Sequence, residues 1–316
     1  MKIVPSENFN ERKDDISILV IHHTTSNFED SLHVLTKPSS NPVSSHYLLP
    51  DPSDETYPEE ALHVYRLVPE DKRAWHAGRS YWAGKEALND SSIGIEVVNQ
   101  TYCVKPDTQP ATRLVPTQPV TPDMPYAASD QTEMAEPAII PPVKRFCFYP
   151  DFPETQIAAL VELIDDILSR NPQITATNIV AHSDIAPDRK VDPGPRFPWQ
   201  RLYKLGYGAW FDDATAVKYW NHFVNDPVPM VYVQKALGAY GYKVEETGVM
   251  DDQTQDVLQA FQLHFRPSEL TGQPSIETVA ILYALVEKYR TERLDDLLDY
   301  PTSPLMEAHR NHTIIP

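Results

Sequence analysis

Between Ile16 and Thr24 the chain reads ISILVIHHT, an apolar, mostly β-branched run with charge before it and Thr-Thr-Ser at its end. A run without alternation, too short for a helix, predicts a strand buried on both faces of a sheet. Shorter stretches of strand character follow in SSHYLLP, HVYRLV and SIGIEVVN. From Glu154 to Arg170 the period changes. Ile157, Leu160, Val161, Ile164, Ile167 and Leu168 recur at helical spacing, with carboxylates on the other face. NIVAHSDI then reads as strand up to His182. It runs into AHSDIAPDRKVDPGP, residues 181–195, where the density of Pro and Gly excludes a helix and predicts a stiff loop leaving a strand end.

Towards the C-terminus the pattern becomes helical. MVYVQKALGAYGY, MDDQTQDVLQAFQLHF and PSIETVAILYALVEKY are amphipathic segments separated by Gly or Pro. Each is too short to be stable alone, so they predict a small module of three packed helices. The organisation expected is a first domain over 1–220, the module over 221–290, and a tail over 291–316 in which LDDLLDY could add a helical turn. Residues 101–147 interrupt the first domain. Their centre, KPDTQPATRLVPTQPVTPDMPYAASDQTEMAEPAIIPPVK, is dense in Pro, Thr and Gln without a sustained period, which predicts a surface insertion with no core of its own. Cys103 and Cys147 stand at its two ends. They either close it with a disulfide, which would imply an oxidising compartment, or are two unrelated thiols.

Composition narrows the function. With 316 residues and 41% hydrophobic content the chain is long enough for two cores. No apolar run approaches the roughly 20 residues of a membrane span, and the opening MKIVPSENFNERKDD lacks the apolar segment of a signal peptide, so export is not written in the chain. A net charge of −18 opposes nucleic-acid binding, which depends on clustered Lys and Arg. Because the acidity is spread along the chain, it reads as a solubility feature. Two distant cysteines are too few for a zinc-finger pattern.

The chemistry sits at strand ends. His22 and His23 close the first strand, and adjacent strand residues point to opposite faces, so one of them can serve a given site. With His182 and an Asp of the 181–195 loop, that residue would supply two imidazoles and a carboxylate. This donor set suits a zinc ion with one coordination position left for water. Glu96 lies inside the apolar strand SIGIEVVN, where an ionisable group either has a role or partner or faces outward.

Taken in order, ILVIHHT, VSSHYLLP, RAWHAG, LNDSSIGIEVVN and VAHSDIAPDRKVDPGP resemble the blocks of the zinc-dependent N-acetylmuramoyl-L-alanine amidases, the family that includes phage lysozyme-like amidases and peptidoglycan recognition proteins. The match covers most of 16–210 and is nearest the AmiD type, from which the chain departs by its Pro-rich insertion and by showing no lipoprotein signal. A second resemblance, carried by VQKALGAYGY and TGVMDDQTQDVLQAFQ, is to the peptidoglycan-binding module that accompanies cell-wall hydrolases.

The first resemblance implies that His22, His182 and Asp192 ligate one zinc ion per chain, leaving His23 to the neighbouring face. It implies further that Glu96 is the catalytic carboxylate and that Lys190 faces the reacting carbonyl. His46, Tyr47, Trp75 and His76 are candidate substrate contacts, since aromatic faces and imidazole edges suit a sugar bearing a peptide; core packing competes for Tyr47 and Trp75. Asp184 and Asp188 either orient the loop or are turn residues, the latter being the first reading.

The fold expected is α/β, a mixed central sheet flanked by helices with the metal at one edge, followed by the three-helix module. A dinucleotide-binding fold is excluded by the absence of a Gly-rich phosphate turn after Val20. The function implied is hydrolysis of the amide between N-acetylmuramic acid, or its anhydro form, and L-alanine of peptidoglycan stem peptides; a non-catalytic recognition protein of the same fold is the alternative. The expected partners are peptidoglycan or muropeptide fragments. The module places the chain in a bacterial envelope, in the periplasm, with the cytoplasm as alternative, and the oligomeric state is open.

Overall fold

The apolar run forms the strand Ile18–His23, with every side chain buried. In the computed structural model, which describes residues 1–104 and 146–300, this strand is next to the edge of a six-stranded mixed sheet. The sheet order is Lys2–Ile3, Tyr65–Arg66, Tyr47–Leu49, Ser92–Val97, Ile18–His23 and Ile179–Ala181. All neighbours are parallel except Tyr65–Arg66 with Tyr47–Leu49.

Register decides what the strand ends bring together. His22 lies directly beside Glu96, and Ile21 beside Ala181, so His182 leaves its strand level with His22. Residues paired side by side in a sheet share a face. His22, Glu96 and the segment beginning at His182 therefore converge at one end of the sheet.

The helix Glu154–Arg170 buries Ile157, Leu160, Leu163, Ile164 and Ile167 in the core beside the sheet. Val161 and Leu168, predicted on the same face, lie at its half-buried edge. The 181–195 segment differs from expectation. It holds a single helical turn, His182–Ile185, whose opening Ala181 N–H is capped by the Asp184 carboxylate at 2.8 Å. Pro187 ends that turn, because the residue before a proline is driven out of the helical region.

Residues 102–104 and 146–148 belong to a separate unit. Tyr102–Val104 pairs antiparallel with Phe146–Phe148, Cys103 stands opposite Cys147, and the two are joined by a disulfide. The alternative of two unrelated thiols is thereby set aside. The expected coreless insertion falls on 105–145, outside the described residues, as do residues 301–316 of the tail.

The three C-terminal segments form the helices Met230–Tyr240, Asp252–Phe265 and Ile276–Tyr289, and the tail adds the short helix Leu294–Leu298. Asp251 and Ser275 cap the second and third by accepting the N–H of Thr254 and Thr278. A further helix, Asp213–Asn225, was not foreseen and runs across residue 220, where the sequence places a boundary. It packs against the third helix, with Phe223 edge-on to Tyr283 at 4.9 Å and the Tyr219 hydroxyl donating to Glu287 at 2.5 Å. Burial continues from sheet to module. Trp82 sits edge-on to Tyr242 at 5.0 Å, and Gly241 has φ +151° with space for a Cβ closed by the Trp82 ring at 3.0 Å. No helix among the described residues is long and apolar enough to cross a membrane.

Candidate metal centre

His22 Nδ1, His182 Nδ1 and Asp192 Oδ2 face one another. The nitrogens are 2.9 Å apart, and the carboxylate oxygen is 3.0 Å from His182 and 3.3 Å from His22. A tetrahedral zinc site with bonds of roughly 2.0–2.1 Å places its ligand atoms about 3.3 Å apart, so the donors fit the ion in kind and spacing. All three residues are buried, and among the described residues this is the one His/Cys/Asp/Glu cluster tight enough to hold a metal. Ser183 N–H donates to Asp192 C=O at 3.0 Å and ties the two ends of the loop together.

A chain of hydrogen bonds sets the proton on His22. Ser92 Oγ donates to Leu88 C=O at 2.7 Å, so it accepts from His76 Nε2 at 3.1 Å. His76 Nδ1 then accepts from His22 Nε2 at 2.9 Å. That leaves the lone pair of His22 Nδ1 aimed at the other two donors. Gly94 is required here, since a Cβ on it would meet the His76 ring at 2.6 Å.

Electrostatics suits the three donors to a metal ion. Burial, reinforced by His182, lowers the His22 imidazole to about 3, and burial lowers His182 as well. Burial would raise the Asp192 carboxyl, but the facing imidazoles of His182 and His22 hold it well below the usual range. Near neutral pH the set is two neutral imidazoles and a carboxylate, with no proton to displace.

Glu96 reaches over the same site, its Oε1 4.0 Å from His22 Nδ1. Burial, with the charge of Asp192 added, raises it to about 8, while Lys190 works the other way. The register of Glu96 beside His22 puts it on the same face as that imidazole instead of facing outward. Lys190 ends a turn closed by its N–H on Ala186 C=O at 3.0 Å, and its charge acts on His22, His182 and Glu96 alike.

Residues 12–195, more than half of the chain, match the family model described as N-acetylmuramoyl-L-alanine amidase. The chain belongs to that family. The amidase is 37% identical to N-acetylmuramoyl-L-alanine amidase AmiD of Escherichia coli K12 over 278 residues, covering 87% of this chain and 83% of the relative. Its fold is similar to the crystal structure of AmpDh3 from Pseudomonas aeruginosa, with TM-score 0.71, 38% identity, and coverage of 87% and 92%. It is also similar to the complex of E. coli AmiD with anhydro-N-acetylmuramic acid-L-Ala-D-γ-Glu-L-Lys, with TM-score 0.66, 37% identity, and coverage of 87% and 90%. Residues 229–282 match a model described as a putative peptidoglycan binding domain. Membership makes the amidase an enzyme of amide hydrolysis, and its fold class is the mixed sheet with flanking helices.

Of the four candidate substrate contacts, two are enclosed by the amidase itself. His46 is fully buried, accepts the Gly94 N–H at 3.0 Å on Nδ1, and has Nε2 2.9 Å from the Arg12 guanidinium. Tyr47 is 2% exposed and donates to Glu70 at 2.7 Å. Both side chains are thus enclosed by the amidase's own strands and hydrogen bonds. Trp75 is half-buried, its Nε1–H on Asn10 at 2.6 Å, and His76 is spent on His22. His23, on the opposite face, lies 3.4 Å from the Thr101 hydroxyl.

Sequence reasoning missed Arg12. Its guanidinium donates to the carbonyls of Glu70, Asp90, Lys72 and Ser92, pinning the strand ends around His46. Nothing in its own neighbourhood, ERKDD, separates it from a surface cation. Asp188 is a turn residue paired with Arg79, whereas Asp184 is buried.

Proposed function

We propose that the amidase cleaves the amide between the lactyl group of N-acetylmuramic acid, or its anhydro form, and L-alanine of the stem peptide, using one zinc ion held by His22, His182 and Asp192. The observation that carries this is the cluster of donors within 3.3 Å of one another with Glu96 in register beside it. Zinc bound there supplies a Lewis acid that activates water and polarises the scissile carbonyl. Glu96 takes the proton of the attacking water and delivers it to the leaving amine. Its raised proton affinity suits the second half of that task, and a dication beside it would draw it back toward the ionised form for the first. Lys190 offers its ammonium to the carbonyl oxygen as negative charge develops. His76 serves as support for His22 and not as a substrate contact.

Because all three ligand positions and Glu96 are filled, a non-catalytic recognition protein of the same fold is the weaker reading. Release of free stem peptide from a muropeptide, abolished by a chelator and restored by zinc, tests the proposal. Binding without release, insensitive to the chelator, would overturn it. Intact and anhydro muropeptides run side by side show which is preferred.

The place of action proposed is the bacterial envelope, in the periplasm. Support comes from the peptidoglycan-binding match at 229–282 and from the Cys103–Cys147 disulfide, which suits an oxidising compartment. Two free thiols in denatured, unreduced protein from its native source would favour the cytoplasmic alternative.

A further inference from the structure

Asp184, two residues past His182, is 1% exposed and accepts three hydrogen bonds. Its Oδ1 accepts the Tyr242 hydroxyl at 2.6 Å; its Oδ2 accepts the His264 Nδ1–H at 2.7 Å and the Ala181 N–H at 2.8 Å. A carboxylate taken out of water is tolerated only when hydrogen-bonded and paired. Two of its three donors come from the C-terminal module, 58 and 80 residues further along the chain. The third is the backbone N–H of Ala181, the residue before His182.

We infer that Tyr242 and His264 are positioning residues for the metal centre: through Asp184 the module fixes the turn that carries His182. The inference rests on the reading of His182 as a zinc ligand. Both donors are themselves held. His264 stacks on Trp199 at 3.9 Å, and Tyr242 is locked edge-on to Trp82 at 5.0 Å. The anchored turn is short, so a displacement at Asp184 is passed to the backbone of Ala181 and His182 with little slack. Asp192 follows, because its carbonyl is tied to Ser183 N–H in the same turn. A module acting only as an anchor would raise the local concentration of catalytic sites on an insoluble polymer and touch nothing near the metal. Here it completes the hydrogen-bond shell of a residue inside the ligand loop.

The test uses the full chain with Tyr242→Phe, which removes one hydroxyl, His264→Leu, which removes the donor, and His264→Asn, whose amide N–H can replace it. Zinc affinity is measured by chelator competition, the ligand field by the visible spectrum of the cobalt-substituted protein, and turnover on a muropeptide as separate kcat and KM. Retention on insoluble peptidoglycan is followed in parallel. Expected are a loss of about tenfold in zinc affinity for Tyr242→Phe and His264→Leu, at the lower end of what removing support behind a metal ligand costs. A shifted cobalt spectrum, a lower kcat at unchanged KM, unchanged retention and recovery in His264→Asn should accompany it. Variants that only melt earlier, or only lose retention, with zinc affinity, cobalt spectrum and kcat as in the wild type, overturn the inference. A wild-type chain that takes up no zinc overturns the reading beneath it instead.

Discussion

His22 is oriented by groups of the sheet-bearing part of the chain, Leu88, Ser92 and His76, through hydrogen bonds between neutral groups that end on its own Nε2. His182 is held differently, by a turn anchored on the buried Asp184 carboxylate, which takes donors from the distant Tyr242 and His264. The first arrangement acts on the ligand ring, fixing both its tautomer and its direction. The second acts on the backbone that carries the ring, and the ring itself meets Asp192 at 3.0 Å and Arg189 at 3.5 Å. A relay that ends on the far nitrogen of the imidazole itself should be worth more to metal binding than an anchor on the backbone of the preceding residue.

The largest effects come from the ligands themselves. His22→Ala and His182→Ala should each take the chain from one zinc ion to none, with stem-peptide release falling to background; metal analysis of protein purified without added zinc measures both. Unequal outcomes, with one variant keeping its metal, would show that the two histidines are not partners in one site. Glu96→Gln comes next. Zinc should stay bound while kcat falls by about 100-fold to 10 000-fold, the range for loss of a general acid–base group. Full activity in that variant would remove Glu96 from the mechanism.

The comparison itself is put at risk by His76→Ala. Removing the group that accepts from His22 Nε2 should weaken zinc by about 10-fold to 100-fold and leave KM nearly unchanged. Tyr242→Phe, acting through the backbone, should lie at the bottom of that range. If Tyr242→Phe cost more metal affinity than His76→Ala, the order of the two supports would be reversed. If His76→Ala raised KM and spared zinc, the imidazole would be a substrate contact after all.

What was legible in the sequence follows the same division. The Ile18–His23 strand, and the segment from His182 to Asp192, are local patterns, and an apolar run or a Pro-dense loop can be read without knowing its neighbours. Glu96 was legible as an ionisable residue in an apolar strand, and its face was settled only by register. Arg12, Asp184 and Ser92 act through partners that only the fold brings near: Arg12 meets Ser92 across 80 residues, and Asp184 meets His264 across 80. His46 and Tyr47 read as contacts because imidazole and phenol are recognition groups by type, yet the fold buries both. The Asp213–Asn225 helix escaped notice because its apolar residues do not form one stripe. Tyr219 and Phe223 are buried, while Val217, Trp220 and Val224 stand exposed on the other side.

The smallest expected effect concerns stability without metal, and it separates the cost of Glu96 from its use. Burial and Asp192 raise its carboxyl to about 8 in the folded chain, against an ordinary value near 4.5. A group whose folded pKa is raised contributes stability that is fully present below the unfolded value and is lost as pH rises through the folded one. In metal-free protein that contribution should therefore fade between about pH 4.5 and 8, and above this window the ionised carboxylate is a burden beside Asp192. Glu96→Gln never ionises, so the metal-free variant should melt above the wild type at pH 8 and with it near pH 4.5. In a chain of this size each kcal/mol moves Tm by on the order of 2 °C. Adding zinc should narrow the gap, since a dication favours the carboxylate it faces. Thermal melts of the two proteins across that window, with and without zinc, give the answer. A difference independent of pH would mean that Glu96 is not held above its ordinary range by this site, and that its register beside His22 does not translate into shared electrostatics.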